Sequence, residues 1–121
     1  MPTFIFIENR KYYKPYDGSD NECCWQVDDL TEDIDKILQG LGIEFELIPE
    51  DWGTAYLWSA NGIDLGFQVE CVDTASCRFK ITLYASRKGL LVFSREVPEF
   101  ENLCPELVSQ LQNLNERPNT E

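Results

Sequence analysis

The chain has 121 residues, 22 of them Asp or Glu against 10 Lys or Arg, for a formal net charge of −12 with no histidine. That balance argues against nucleic acid or an anionic membrane surface as a direct partner, since both are gripped by Lys and Arg. It also removes the commonest general acid/base and any Ser-His or Cys-His nucleophile pair. No apolar run approaches the ~20 residues of a membrane helix, and the opening MPTFIFIENRKYY lacks the basic segment and cleavage site of a signal peptide.

In chain order, the first candidate strand covers residues 3–8, with Ile5 and Ile7 on one face and Phe4 and Phe6 on the other. Being apolar on both sides, it is expected inside the sheet or under a helix. Residues 9–22 carry Pro15, Gly18, Ser19 and Asn21 without an apolar period and read as a loop. Its first half sets Arg10, Lys11 and Lys14 among Tyr12, Tyr13 and Tyr16, and its second half holds Asp17, Asp20 and Glu22. Such a basic-aromatic cluster can grip RNA or a peptide, but so many acids beside it suit a solvated loop better.

A helix follows. Asp29 and Glu32 have capping-box spacing, Leu30, Ile34, Ile37, Leu38 and Leu41 recur on one side, and Gly40 or Gly42 supplies a left-handed stop. Ile43, Phe45 and Leu47 then alternate with Glu44 and Glu46 as a strand that leads into a turn over residues 49–53.

Residues 53–97 form four short β-rich runs, a meander with loops at 72–76 and 86–89. Asn61-Gly62 is a two-residue type I′ hairpin signal, because both residues tolerate positive φ. Counting outward pairs Ala60 with Ile63, Trp58 with Leu65, Tyr56 with Phe67 and Thr54 with Val69 on one face. Cys77, Phe79, Ile81, Leu83 and Ala85 continue that face in the next run. A second helix is expected from about Cys104, with Pro105 in its first turn and Leu103, Leu107, Leu111 and Leu114 on one stripe. The sum is one α+β domain over residues 1–121, a mainly antiparallel sheet of about five to six strands with two helices packed on it and a frayed tail at 116–121.

Five cysteines match no zinc or redox spacing, which points to a reducing cytoplasm. Cys23 and Cys24 are adjacent and could form a strained redox ring, but most such pairs are merely small, fairly apolar residues. Cys71 and Cys77 fall at facing strand ends on the core side and are expected to be buried.

The carboxylates are the remaining chemistry. Over residues 17–28, Asp17, Ser19, Asn21 and Asp28 occupy the first, third, fifth and twelfth places of a calcium loop. Glu22 stands where an EF-hand needs Gly, Asp28 replaces the bidentate Glu, and no entering helix precedes it. An EF-hand is therefore excluded, while an irregular cation loop stays open. Asp28, Asp29, Glu32 and Asp33 are the densest acidic group. Carboxylates at a helix start are stabilised by the dipole without any metal, and the same field repels a cation. A cation site there needs Asp17, Asp20 or Glu22 from the preceding loop. Glu50 and Asp51 before Trp52 are a third acidic position.

In size, acidity, lack of EF-hands and strand-helix layout, the chain resembles the small acidic calcium-binding proteins of filamentous cyanobacteria. The resemblance is one of whole-chain character and implies Ca2+ sequestered or sensed at surface carboxylates. The expected function is thus calcium binding, with metal ligands drawn from Asp17, Asp20, Glu22, Asp28, Asp29, Glu32 and Asp33. The alternative is an acidic binding module that inhibits a basic protein, as a toxin immunity protein or a DNA-mimic inhibitor does. An enzyme is the least supported class, and no catalytic residue is assigned.

Overall fold

Asn61 and Gly62 take φ of 54° and 77°, the paired left-handed conformation that a two-residue hairpin turn requires. They join β3 (Gly53–Ala60) to β4 (Ile63–Asp73). The computed structural model describes residues 3–12, 27–50, 53–73, 77–87 and 100–115. The remaining elements are β1 (Thr3–Glu8), a short 3-10 turn (Arg10–Tyr12), α1 (Val27–Gly40), β2 (Glu46–Glu50), β5 (Arg78–Arg87), α2 (Phe100–Leu103) and α3 (Pro105–Gln112). The five strands form one antiparallel sheet in the order β1-β5-β4-β3-β2. With helices beside that sheet, the fold is α+β.

The register agrees with the count made from the turn: Ala60 opposes Ile63, Trp58 Leu65, Tyr56 Phe67 and Thr54 Val69. The same face continues across β5 and β1, where Val69 opposes Ile81 and Ile81 opposes Ile5. Leu30, Ile34 and Leu38 of α1 and Leu107 and Leu111 of α3 are buried with this face in a single core. Within it, the Tyr56 and Phe67 rings stack at 4.8 Å, and Trp58 meets Phe100 edge-on at 5.9 Å. Cys77 is buried and Cys71 half-buried.

α1 ends as its glycine predicts. Gly42 has φ 74°, the Ile43 amide donates to the Leu38 carbonyl at 3.0 Å and the Gly42 amide to that of Gln39 at 3.1 Å, which closes a Schellman motif. Its start lies earlier than the capping-box spacing suggests. With Val27 as the first helical residue, Asp29 sits inside the first turn, where the dipole favours a carboxylate as well as a cap would.

Two further expectations change. β1 is not interior but the outermost described strand, with Ile5 and Ile7 in the core and Phe4 and Phe6 47% and 43% exposed. Cations cover what a helix would have covered: the Lys80 ammonium stands 4.3 Å from the Phe4 ring centre and the Arg78 guanidinium 4.5 Å from that of Phe6. β2 begins at Glu46 and takes in Pro49 and Glu50, where the sequence predicts the turn. Proline fits there because β2 is the other outer strand, where a missing N–H costs no ladder bond. The second helix starts where expected, as α3 with Pro105 in its first turn, and the short α2 precedes it. The fourth run of the meander and the tail at 116–121 lie outside the described residues, as do Cys23 and Cys24. No helix among the described residues is long and apolar enough to cross a membrane.

Phe67 is fully buried at the centre of the core, stacked on Tyr56. Phe67→Ala is expected to cost about 3–5 kcal/mol, read as a lowered urea midpoint at unchanged m-value. Phe4→Ala, at an exposed position, should cost far less; equal losses would contradict the placement of the core.

Candidate functional site

On α1 the buried stripe of Leu30, Ile34 and Leu38 has a carboxylate on each flank, Asp33 on one side and Asp35 on the other. Each receives a phenol from the sheet side. Tyr12, buried in the turn that follows β1 and edge-on to Phe79, donates its hydroxyl to Asp33 Oδ2 at 2.7 Å. Tyr56, buried on β3, donates to Asp35 Oδ1 at 2.9 Å, with the Thr31 carbonyl also in reach at 3.2 Å. The shorter contact to a charged acceptor is the stronger of the two.

Burial, then the hydrogen bonds and charges of their carboxylate partners, push both phenols well above the ordinary tyrosine value. For Asp33, burial alone would raise the carboxyl. The hydrogen bonds from Tyr12 and Lys11 and the charges of Lys11 and Lys36 outweigh it and hold the group below its usual range. Lys11 Nζ lies 3.2 Å from the same Oδ2 that Tyr12 uses. Asp33 is thus an ionised acceptor already supplied with a cation from its own chain.

Of the residues expected to bind metal, Asp17, Asp20 and Glu22 lie outside the described residues, and Asp28 falls in the first turn of α1. Asp29 and Glu32 are exposed on α1, while Asp33 is half-buried and turned toward Tyr12. The structure therefore brings Asp29, Glu32 and Asp33 onto one helix but commits Asp33 inward. Among the described residues no group of three or more Asp, Glu or Cys is placed to hold a metal ion. Of the third acidic position, Glu50 ends β2 in an exposed place, and Asp51 and Trp52 lie outside the described residues.

The charges are segregated across the sheet. Glu44, Glu46 and Glu50 are exposed along β2 and its approach, at one outer edge, and Asp64 is exposed beside the hairpin turn, held by the Ser59 hydroxyl at 2.6 Å. At the opposite edge Arg10, Lys11, Arg78 and Lys80 outnumber the exposed Glu8. A cleft of about 500 Å³ opens beside the hairpin tip, walled by Trp58, Ile63 and Leu65 with Cys104 at its side. Burial raises the pKa of the Cys104 thiol, so it stays protonated and poorly nucleophilic near neutrality.

Comparison with protein families, with curated proteins and with solved structures finds no match for this chain.

The pairs Tyr12-Asp33 and Tyr56-Asp35 were not legible as partners in the sequence. One signal was present: Tyr56 occupies a core-face position between apolar neighbours, and a buried phenol needs an acceptor.

Because both phenols hold their protons more tightly when folded, their contribution is whole below about pH 10, the unfolded tyrosine value, and is lost as pH rises above it. Asp33 has the opposite sign: its contribution is present above about pH 3.9, the unfolded value, and is lost as pH falls toward its depressed folded value. Urea midpoints measured across pH should fall at both ends. The alkaline fall should be shallower in Tyr12→Phe/Tyr56→Phe than in the parent, and an unchanged alkaline slope would contradict the assignment.

Proposed function

We propose that this protein is an acidic binding module whose exposed carboxylates meet a basic protein partner. The observation that carries this is the spread of exposed acids, Asp29 and Glu32 on α1, Glu46 and Glu50 on β2 and Glu44 in the approach to it. A broad field of one sign, on a chain of net charge −12, steers a cationic protein into contact and sets the orientation of docking. A basic nuclease toxin or a DNA-binding protein has the complementary surface, so inhibition of such a partner is the role that fits.

A second function is favoured by a different observation. Tyr12 donates a hydrogen bond to Asp33 of α1, and in the sequence Asp17, Asp20 and Glu22 fall between Tyr12 and Val27, the first residue of α1. Asp28, Asp29 and Glu32 follow in the first turns of α1. Calcium tolerates irregular oxygen cages of this kind, whereas magnesium demands octahedral order. The resemblance to small acidic calcium-binding proteins points the same way.

Two measurements separate the functions. The immobilised protein, challenged with a lysate at low and at about 150 mM salt, should capture basic proteins, with capture falling steeply as salt rises and unaffected by calcium. Glu44→Gln/Glu46→Gln/Glu50→Gln should weaken it, and recovery of no basic protein at low salt would count against a binding module. Titration calorimetry with Ca2+ and Mg2+ at about 150 mM salt tests the other. Heat with Ca2+ alone, abolished by Asp17→Asn/Asp20→Asn/Glu22→Gln, would establish calcium binding. Such binding would also stabilise the fold by about 2.7 kcal/mol at a hundredfold excess over Kd.

A further inference from the structure

The outer side of β1 carries an unusual contact. In an antiparallel ladder, alternate residues bond to the neighbouring strand. The Asn9 amide donates to the Cys77 carbonyl, so the same alternation points the N–H and C=O groups of Phe4, Phe6 and Glu8 away from β5. Asn115, just beyond α3, meets two of them with one side-chain amide. The Glu8 amide donates to Asn115 Oδ1 at 2.8 Å, and Asn115 Nδ2 donates to the Phe6 carbonyl at 3.0 Å. An acceptor and a donor are what the backbone C=O and N–H groups of an adjoining strand would offer. The contact is held in place by Asn9 Nδ2, which donates to the Leu114 carbonyl at 2.8 Å. Beside it Phe4 and Phe6 stand nearly half-exposed under Lys80 and Arg78.

We propose that β1 is a latent pairing edge for a second copy of this chain and that Asn115 is the residue that keeps it shut. The occupant is specified by self-complementarity. Setting two β1 strands antiparallel about Phe6 places Phe6 opposite its counterpart and Glu8 opposite the partner copy's Phe4. The ammonium of Lys80 lies over that Phe4 ring. The two-fold axis thus creates two Glu8-Lys80 ion pairs around a shared cluster of four phenylalanines, in a closed, isologous contact. Edge strands with exposed apolar side chains pair in this way unless something blunts them. Here the blunting element is a side chain from the far end of the chain. Opposing the pairing is the charge of −12 on each copy, so association through β1 must strengthen as salt screens the whole-molecule repulsion. That dependence is opposite in sign to capture of a basic partner.

The test is sedimentation velocity over a range of protein concentrations at about 150 mM and about 1 M salt, with far-UV circular dichroism as the control for folding. The parent chain should be monomeric. Asn115→Ala, and the isosteric Asn115→Asp, which loses the donor to the Phe6 carbonyl, should both show a concentration-dependent dimer that grows with salt. Adding Phe6→Glu to Asn115→Ala sets like charges face to face and should restore the monomer. A folded Asn115→Ala or Asn115→Asp protein that stays monomeric throughout would overturn the proposal. So would a dimer that survives Phe6→Glu, or a parent chain that dimerises to the same extent.

Discussion

The seating of α1 on the sheet depends on two phenol-carboxylate hydrogen bonds. The apolar stripe of Leu30, Ile34 and Leu38 drives the helix onto the core, yet apolar contact is non-directional and would tolerate a shift along the axis. Tyr12-Asp33 and Tyr56-Asp35 remove that freedom, since they hold the helix on both flanks. A slip of one turn would strand a buried hydroxyl without its acceptor, at about 1–3 kcal/mol for each group left unpaired. Tyr12 follows β1 and Tyr56 lies on β3, strands separated by β5 and β4, so the two bonds also fix the helix across the width of the sheet.

What was legible in the sequence was local. Asn61-Gly62 set the β3-β4 register because the turn demands two left-handed residues and only such pairs supply them cheaply. The alternation from Cys77 to Leu83 identified the buried face, and Gly42 marked the end of α1. What failed depended on distant partners. Phe4 and Phe6 looked like the second buried face of an interior strand, and the Lys80 and Arg78 side chains that cover them come from the other end of the sheet-forming sequence. The partner of Asp33 was hidden in the same way, since composition shows a carboxylate but not the phenol 21 residues away that donates to it. The role of Asn115, at a still greater separation, had no local signal at all.

Segregation of charge gives the sheet two unlike margins. The β2 side presents Glu44, Glu46 and Glu50, and the β1 side presents Arg10, Lys11, Arg78 and Lys80 with exposed aromatic rings. Pro49 on β2 and Asn115 on β1 each deny a neighbouring strand part of its ladder. Both outer strands are thus blunted by different chemistry, one by an absent donor and one by a borrowed amide.

The bond from Glu8 to Asn115 spans 107 residues of chain, and this has a bearing on how the molecule is assembled. The β3-β4 hairpin closes a two-residue loop and β5 adds to it after another short connection, so this part can form early with little loss of chain entropy. β1 must find β5 across the whole intervening sequence, and it gains its outer cover only when the end of α3 arrives. The first and last elements therefore lock each other, as the final step of folding and the first place to open. Breathing motions should release the two chain ends together as one cooperative unit, leaving the meander intact beneath them.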